Sequence, residues 1–321
     1  MLGTPAVECI LRRVLSFACR DMRSRRLTAG LVAACLFHAA PADAGKARDY
    51  LNAPKDTWVT FYNLGWSQAV TQVRGGADFG IASIESEVLS QSLIITRIVG
   101  IAGRTGGFSL ILPAADVRSS AGPFSERDRA FGDLGFAAEV NLFGAPALSK
   151  SEFASWTPET FSSFHLVATL PTGAYDPGSP LNVGSNRWSF ASTINYSFTP
   201  DAGKTWLEVY GTARIFGTNP DAPVTGGRLE QKPLYQLEFH ASRNLTPDLW
   251  VSGDAYYDHG GETELDGRLQ DNAADTLRLG TGLGLRLPTI GQLMLNYDQV
   301  VSRPEGQPRG RAVRLTLARV W

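Results

Sequence analysis

Cysteine is almost missing from this chain: Cys9, Cys19 and Cys35 are the only three in 321 residues, and none follows position 35. Disulfide scaffolds, cysteine-ligated metals and thiol nucleophiles are therefore excluded from everything downstream. Beyond residue 44 the chain also lacks any run of about 18 apolar residues, so no helix there can span a bilayer. Methionine (3) is scarce beside glycine (33), and charged residues make up only 19%. That balance, with 10% aromatics, suits an all-β protein with many turns. A basic stripe of the kind that holds nucleic acid is lacking as well. Without residues 1–44 there are 24 basic against 28 acidic side chains, a net charge of −4.

What stands at the start is an export pattern. Arg23, Arg25 and Arg26 precede an apolar stretch from Leu27 to Ala40, and the small-residue site Ala42-Asp43-Ala44 follows. Cleavage before Gly45 is expected. Met22 sits just before the charged region, so it is a candidate true start, with residues 1–21 an over-extended start or a long charged region. Val32-Ala33-Ala34-Cys35 resembles a lipoprotein signal and is the rival reading, weakened by the later Ala-x-Ala site. The division expected is 1–44 as extension and cleaved signal, 45–56 as a periplasmic segment, and 57–321 as one folded body.

That body consists of segments of roughly 8 to 12 residues in which apolar side chains alternate with Gly, Ser, Thr and charged ones. In 276–287, Leu277, Leu279, Thr281, Leu283, Leu285 and Leu287 share one face, while Arg278, Gly280, Gly282, Gly284 and Arg286 share the other. Only the period of two of a β-strand separates the sets this way. The stretches 206–216, 235–242 and 134–142 behave alike. Twelve strands are read, near 57–67, 88–101, 106–114, 132–143, 163–171, 187–198, 205–216, 234–244, 249–258, 276–287, 291–301 and 311–321, with ten or fourteen also open. The pattern predicts an all-β fold, a transmembrane antiparallel up-and-down β-barrel of a Gram-negative outer membrane.

Connections support this, since such barrels alternate short periplasmic turns with longer outer loops. Short turns are read at 103–106, 200–204, 245–248 and 288–290, and long stretches at 114–131, 217–233 and 259–275. Both termini then fall on the periplasmic side. The exception is 144–162, a long connection where a turn is due, read as a small periplasmic helix or a plug-like segment. Trp58, Trp66, Trp188, Trp206, Trp250 and Tyr257 lie near strand ends and are read as interfacial girdles. The last strand carries Val313, Leu315 and Leu317 on the face of Trp321 and ends on that aromatic, which resembles the C-terminal signal read by the barrel assembly machinery; Arg319 departs from it. A water-soluble sandwich or lipocalin-like barrel is the bland alternative, with the apolar face turned inward.

A more specific pattern occurs at Leu170-Pro171-Thr172-Gly173-Ala174-Tyr175-Asp176, followed by Leu181-Asn182-Val183-Gly184-Ser185-Asn186-Arg187-Trp188 and the strand ending Ile194-Asn195-Tyr196, with Gly132-Asp133-Leu134-Gly135 before it. Here the chain resembles the outer-membrane transporter family named for the MetA pathway of phenol degradation. The resemblance implies an outer-membrane barrel tied to uptake of aromatic or other hydrophobic compounds. Read from the residues alone, the same stretch is a long outer loop. Gly173, Pro177, Gly178 and Pro180 set turns, Asp176 and Asn182 cap backbone groups, and Trp188 opens a strand at the interface.

Few side chains suggest chemistry. His240-Ala241-Ser242 resembles the His-x-Ser pair of outer-membrane lipid hydrolases, but Phe239 and Ala241 occupy the lipid-facing wall and turn His240 and Ser242 into the lumen. Asp254, Tyr256, Asp258 and His259 read as a solvated wall leading to a polar loop rather than metal ligands, and no cofactor is called for. The inward set Glu139, Glu208, Arg214, Glu238, His240, Asp254, Arg278, Arg286 and Asp298 is mixed in sign and is the candidate lumen lining; such groups tune an open pore or pair and close a narrow one. The expected function is passive passage of a small-molecule solute, with outer-membrane lipids around the wall, no nucleic-acid partner and no catalysis. The rivals are a lipid-modifying enzyme and a structural or adhesion barrel with binding loops.

Overall fold

The structure is a computed structural model and describes residues 45–74 and 81–321. The signal sequence, Met22 and the lipobox-like Cys35 lie outside the described residues.

Strict alternation over a dozen stretches leaves each with one apolar and one polar face, and in a bilayer such strands must pair until no edge remains. They do so here. Twelve long strands run in chain order: β1 (Trp58–Arg74), β2 (Ile81–Ile101), β3 (Arg104–Ala121), β5 (Gly135–Phe143), β6 (Phe161–Thr169), β7 (Ser189–Phe198), β8 (Thr205–Phe216), β10 (Leu234–Asn244), β11 (Leu249–Gly260), β14 (Ala274–Leu287), β15 (Gly291–Ser302) and β16 (Arg309–Val320). Each pairs antiparallel with its neighbours, and β1 closes the ring on β16 with Val59 opposite Val320 and Val70 opposite Arg309. Four shorter strands lie off the ring: β4 (Phe124–Phe131) pairs along the upper part of β3, while β9 (Leu229–Gln231), β12 (Thr263–Leu265) and β13 (Arg268–Leu269) form a small sheet among the outer loops. The twelve-strand up-and-down barrel read from the alternation is thus the fold.

The faces decide against a soluble barrel. Phe108, Phe136, Ile194, Leu207, Phe239, Leu279 and Leu295 all point outward and are exposed. Their inward neighbours Asn195, Glu208, Glu238, His240, Asp254, Asp298 and Thr316 are buried. An apolar outer wall around a polar interior is stable only against hydrocarbon. Trp58 and Trp321 are exposed at the short-turn end, and Trp188 and Tyr257 at the loop end, as two aromatic belts. The Trp321 N–H donates to the Trp58 carbonyl at 2.8 Å, its indole N–H to Thr60 Oγ1 at 3.0 Å, and Arg319 lies 4.0 Å over its ring.

Trp206 and Trp250 correct the girdle reading. They are 2% and 4% exposed and face the lumen. Their parity explains this, because Trp206 shares a face with Glu208 and Tyr210, and Trp250 with Ser252 and Asp254. Trp250 fits only because Gly284 lies opposite, where a Cβ would come within 2.1 Å of the indole.

One connection differs from the reading and one follows it. The stretch 114–131 is not a loop but a hairpin, with β3 continuing to Ala121 and β4 returning through Ser120–Ser125 and Ala114–Phe131 pairs. Arg127 is hydrogen-bonded to Asp116 across it. β2, of 21 residues, is about twice the 9–11 needed to cross a bilayer, so β1 to β4 stand well above the membrane. The long connection after β5 does contain a helix, α1 (Lys150–Ser155), started by a capping box in which Ser149 and Glu152 bond each other's backbone N–H. Such a cap contributes about 1 kcal/mol. The Ser149 hydrogen bonds hold the Glu152 carboxyl below its ordinary pKa.

Candidate functional site

Residues 45–56, expected in the periplasm, instead enter the barrel from the short-turn end and fill it. Nothing in their own sequence makes a strand; the lumen wall holds them by side chains. The Arg48 N–H donates to Glu208 Oε2 at 2.8 Å, and its guanidinium to Ser242 Oγ at 2.8 Å and Asn244 Oδ1 at 2.6 Å. The same guanidinium lies 4.9 Å over Trp250. Ala47, completely buried, packs on Trp250 and Met294. Tyr50 stacks on His165 with ring centroids 3.9 Å apart and meets Tyr210 edge-on at 4.8 Å. Further along, the Lys55 N–H bonds the Leu148 carbonyl and the Asp56 N–H the Ile98 carbonyl, so the segment crosses the lumen before β1 begins.

The wall behind this plug is a network of ion pairs. On β10 and β11, His240 Nδ1 sits 2.7 Å from Asp254 Oδ1, and Nε2 sits 3.3 Å from Glu238 Oε2. Ser252 Oγ donates to Asp254 at 3.0 Å. Glu208 accepts from Ser197 at 3.0 Å and Tyr210 at 2.8 Å. Arg278 reaches Asp258 and Asp298, each at 3.3 Å, and lies 4.7 Å over Tyr256; Arg314 closes the set on Asp298 at 2.9 Å. Glu139 pairs with His165 at 3.0 Å, and Ser163 Oγ lies 2.7 Å from His165 Nε2. Charges this dry are stable only when each has a partner.

Of the candidate lining residues, Glu139, Glu208, Glu238, His240, Asp254, Arg278 and Asp298 belong to this interior. Arg214 lies on the same inward face of β8. Arg286 is the correction. Its side chain is 66% exposed and paired with Asp248 at 2.7 Å in the turn before β11, because the inward face of β14 reaches the rim at that position.

Neither histidine is set up as a catalytic base. His240 faces carboxylates from both nitrogens, leaving none to deprotonate Ser242, whose Oγ instead accepts from Arg48. The Ser163, His165, Glu139 arrangement has the distances of a hydrolase triad, yet the Ser163 hydroxyl also bonds Asn195 and Tyr50 covers the imidazole. Asp254 and Asp258 do not converge, since the first serves His240 and the second Arg278.

At the opposite end the family-like loop is built by its own polar side chains. Asp133, on the link between β4 and β5, accepts from the Gly173 N–H at 2.8 Å and the Ser185 N–H at 2.9 Å. Thr172 Oγ1 accepts from the Leu134 N–H at 2.9 Å, just after Pro171. The Asn182 carboxamide accepts from the Asp176 N–H at 2.7 Å and donates to the Asp176 carbonyl at 3.0 Å, while the Asp176 carboxylate accepts from the Gly178 N–H at 2.8 Å. Tyr175 donates to the Asp221 carbonyl at 2.6 Å, and Asn219 ties Tyr175 to Asn186 at 2.8 and 2.9 Å. Gly184 is required by closeness, for a Cβ there would come within 2.7 Å of the Ala174 carbonyl oxygen. Trp188 then opens the way into β7 at the membrane boundary, 43% exposed. Arg187 is half-buried beneath this loop, bonded to Gln231 at 2.5 Å and 4.8 Å over Phe216. Burial lowers its pKa to about 10.

The motif residues are therefore the frame of one outer loop, and comparison with known proteins takes up the same stretch. The family described as "Putative MetA-pathway of phenol degradation" matches residues 47–315. The chain belongs to this family. Among solved structures, an outer-membrane channel from Pseudomonas putida F1 is 21% identical, over 87% of this chain and all (100%) of its own, with a TM-score of 0.73. The β-domain of the Bordetella autotransporter BrkA is 10% identical over 82% of this chain and 99% of its own, TM-score 0.52. The transport unit of the autotransporter AIDA-I from Escherichia coli is 11% identical over 91% and 97%, TM-score 0.50. These likenesses concern the fold, that of an outer-membrane channel. No curated protein matches the sequence.

The family match starts at Ala47, inside the plug, so it covers most of the segment in the lumen as well as the barrel. Sequence reasoning missed Arg48 and Tyr50, which carry no periodic signal. Alternation places Tyr210 and Tyr256 on the face of Glu208 and Asp254 but not their contacts, and Asp133 is visible as part of the motif without its role as anchor.

Proposed function

We propose that this barrel is a passive outer-membrane transporter for small solutes, aromatic or otherwise hydrophobic, in which residues 45–56 act as the inner gate and the outer loops as a filter. One observation carries the reading. Inside the lumen, up to residue 53, the segment is held through hydrogen bonds to the side chains of Glu208, Ser242 and Asn244 rather than by strand pairing. Such a segment can leave without disturbing a single rung of the barrel ladder. Family membership supports the class of solute, and the mixed-sign lining beneath the plug would suit weakly polar cargo such as phenols or aromatic acids.

The test is single-channel conductance in planar bilayers of the refolded protein, with and without residues 45–53, in the presence of benzoate or neutral phenol. The full chain is expected to be closed or to open in brief steps, and the shortened chain to conduct steadily, with steps blocked by one solute class. A shortened barrel that is folded and electrically silent sinks the channel reading and moves weight to a lateral route through the wall.

A further inference from the structure

The plug leaves a charge and an atom unanswered at the centre of the lumen. Three buried carboxylates, Glu208, Glu238 and Asp254, cluster about His240. Arg48 and the His240 imidazole face them, and Lys46 is committed to Asp49 at 2.5 Å. The Arg278 and Arg314 guanidinium groups serve Asp258 and Asp298. The three carboxylates thus face at most two cations. The shortfall has an address, because Glu238 Oε2 is sealed from solvent with no hydrogen-bond partner, as is His240 Nε2, their 3.3 Å approach being badly angled.

Gly45 lies at that address. It is buried, and a Cβ built on it would stand 3.0 Å from Glu238 Oε2 and 3.1 Å from the Tyr210 ring. It is also the residue that follows Ala42-Asp43-Ala44.

We propose that Gly45 is the first residue of the mature protein and that its α-ammonium group, created by signal cleavage, pairs with Glu238 and completes the lumen cluster. The chemistry is amide hydrolysis by a signal peptidase. Water adds across the Ala44–Gly45 bond, the leader departs with a carboxylate on Ala44, and the released amine takes up a proton. The missing cation therefore exists only after export, and the plug can lock only in a processed chain. Glycine suits the position because any side chain would press on the Glu238 carboxylate and the Tyr210 ring. A buried carboxylate left unpaired is costly, so the amine and the plug hold each other in place. The inference rests on the cleavage site and not on what the barrel transports.

Two measurements test it. N-terminal sequencing and intact mass of protein extracted from outer membranes should show a chain beginning at Gly45; any other start overturns the proposal. Reductive methylation at neutral pH should then modify the α-amine of the folded protein about tenfold more slowly than that of the unfolded chain, the effect of one pKa unit of stabilised ammonium, with Glu238→Gln restoring the rate. An α-amine that reacts equally fast in folded and unfolded protein, or a folded Glu238→Gln variant with protection intact, overturns it. Should Glu238→Gln fail to fold, the wild-type chain refolded with an acetylated α-amine serves instead. Its residues 46–52 should exchange amide hydrogens about tenfold faster, as loss of a tenfold stabilisation of the closed segment requires, and unchanged exchange overturns the pairing. A barrel that shows a protected amine yet never conducts would refute the transporter reading alone.

Discussion

Replacing Arg278 by alanine asks whether the lumen is dry at mid-height. The Arg278 side chain is 8% exposed and Asp298 5%, so both charges are effectively out of water, with Asp258 at 18% beside them. Stripping one partner from a buried pair costs about 3–5 kcal/mol. The remaining contacts soften the loss, since Asp298 keeps Arg314 at 2.9 Å and Asp258 keeps the Gln236 amide at 2.7 Å. Against that, the guanidinium also leaves the face of Tyr256, worth about 1 kcal/mol. The expected destabilisation is therefore about 3 kcal/mol, toward the lower end of the range. Reversible urea unfolding in lipid vesicles, followed by tryptophan fluorescence, reads it directly. Adding Asp258→Asn to the variant should recover part of the loss, because one uncompensated carboxylate is removed. A change below about 0.5 kcal/mol, typical of surface sites, would mean that water reaches Arg278 and that the filled-lumen account is wrong.

The neighbouring residue gives the opposite wall. Leu279→Arg, on the lipid face of β14, should cost about 2–4 kcal/mol in the same assay, and a neutral result would place that face in water. Gly284→Ala forces a methyl into the Trp250 indole and should lose about 1–3 kcal/mol, with Trp250→Leu in the same chain restoring part of it. Asp133→Ala frees the Gly173 and Ser185 amides and should leave barrel stability unchanged while making residues 171–187 open to limited proteolysis on whole cells. The capping bonds to Glu152 stabilise α1 above the ordinary glutamate pKa and are lost as pH falls through its lowered folded value. Amide protection factors in residues 150–155, corrected for the intrinsic pH dependence of exchange, should accordingly fall at acid pH in the wild type and be low at both pH values in Glu152→Ala.

How far each feature could be read in advance follows from what carries it. Alternation over 276–287, 206–216 and 235–242 settled the strands and which side chain faces lipid, since the pleat leaves no other arrangement. It also held the answer for Trp206 and Trp250, whose parity with Glu208 and Asp254 assigns them to the lumen; position near a strand end misled. The β3–β4 hairpin was illegible because it stands above the bilayer, where no lipid-facing side is required: Val117 and Ser119 are buried, but β4 is exposed throughout Phe124 to Arg127 and does not alternate. The loop motif was visible as residues, but not that Asp133, nearly 40 positions before Gly173, is its anchor.

The sequence by itself determined an antiparallel barrel of about twelve strands, its inside and its outside, because the physics of a bilayer acts on each strand locally. Only the tertiary structure decided that residues 45–56 lie inside that barrel. Arg48, Tyr50 and Gly45 find Glu208, His165 and Glu238 across intervals of more than a hundred residues, brought together by barrel closure and strand register, which no local pattern encodes.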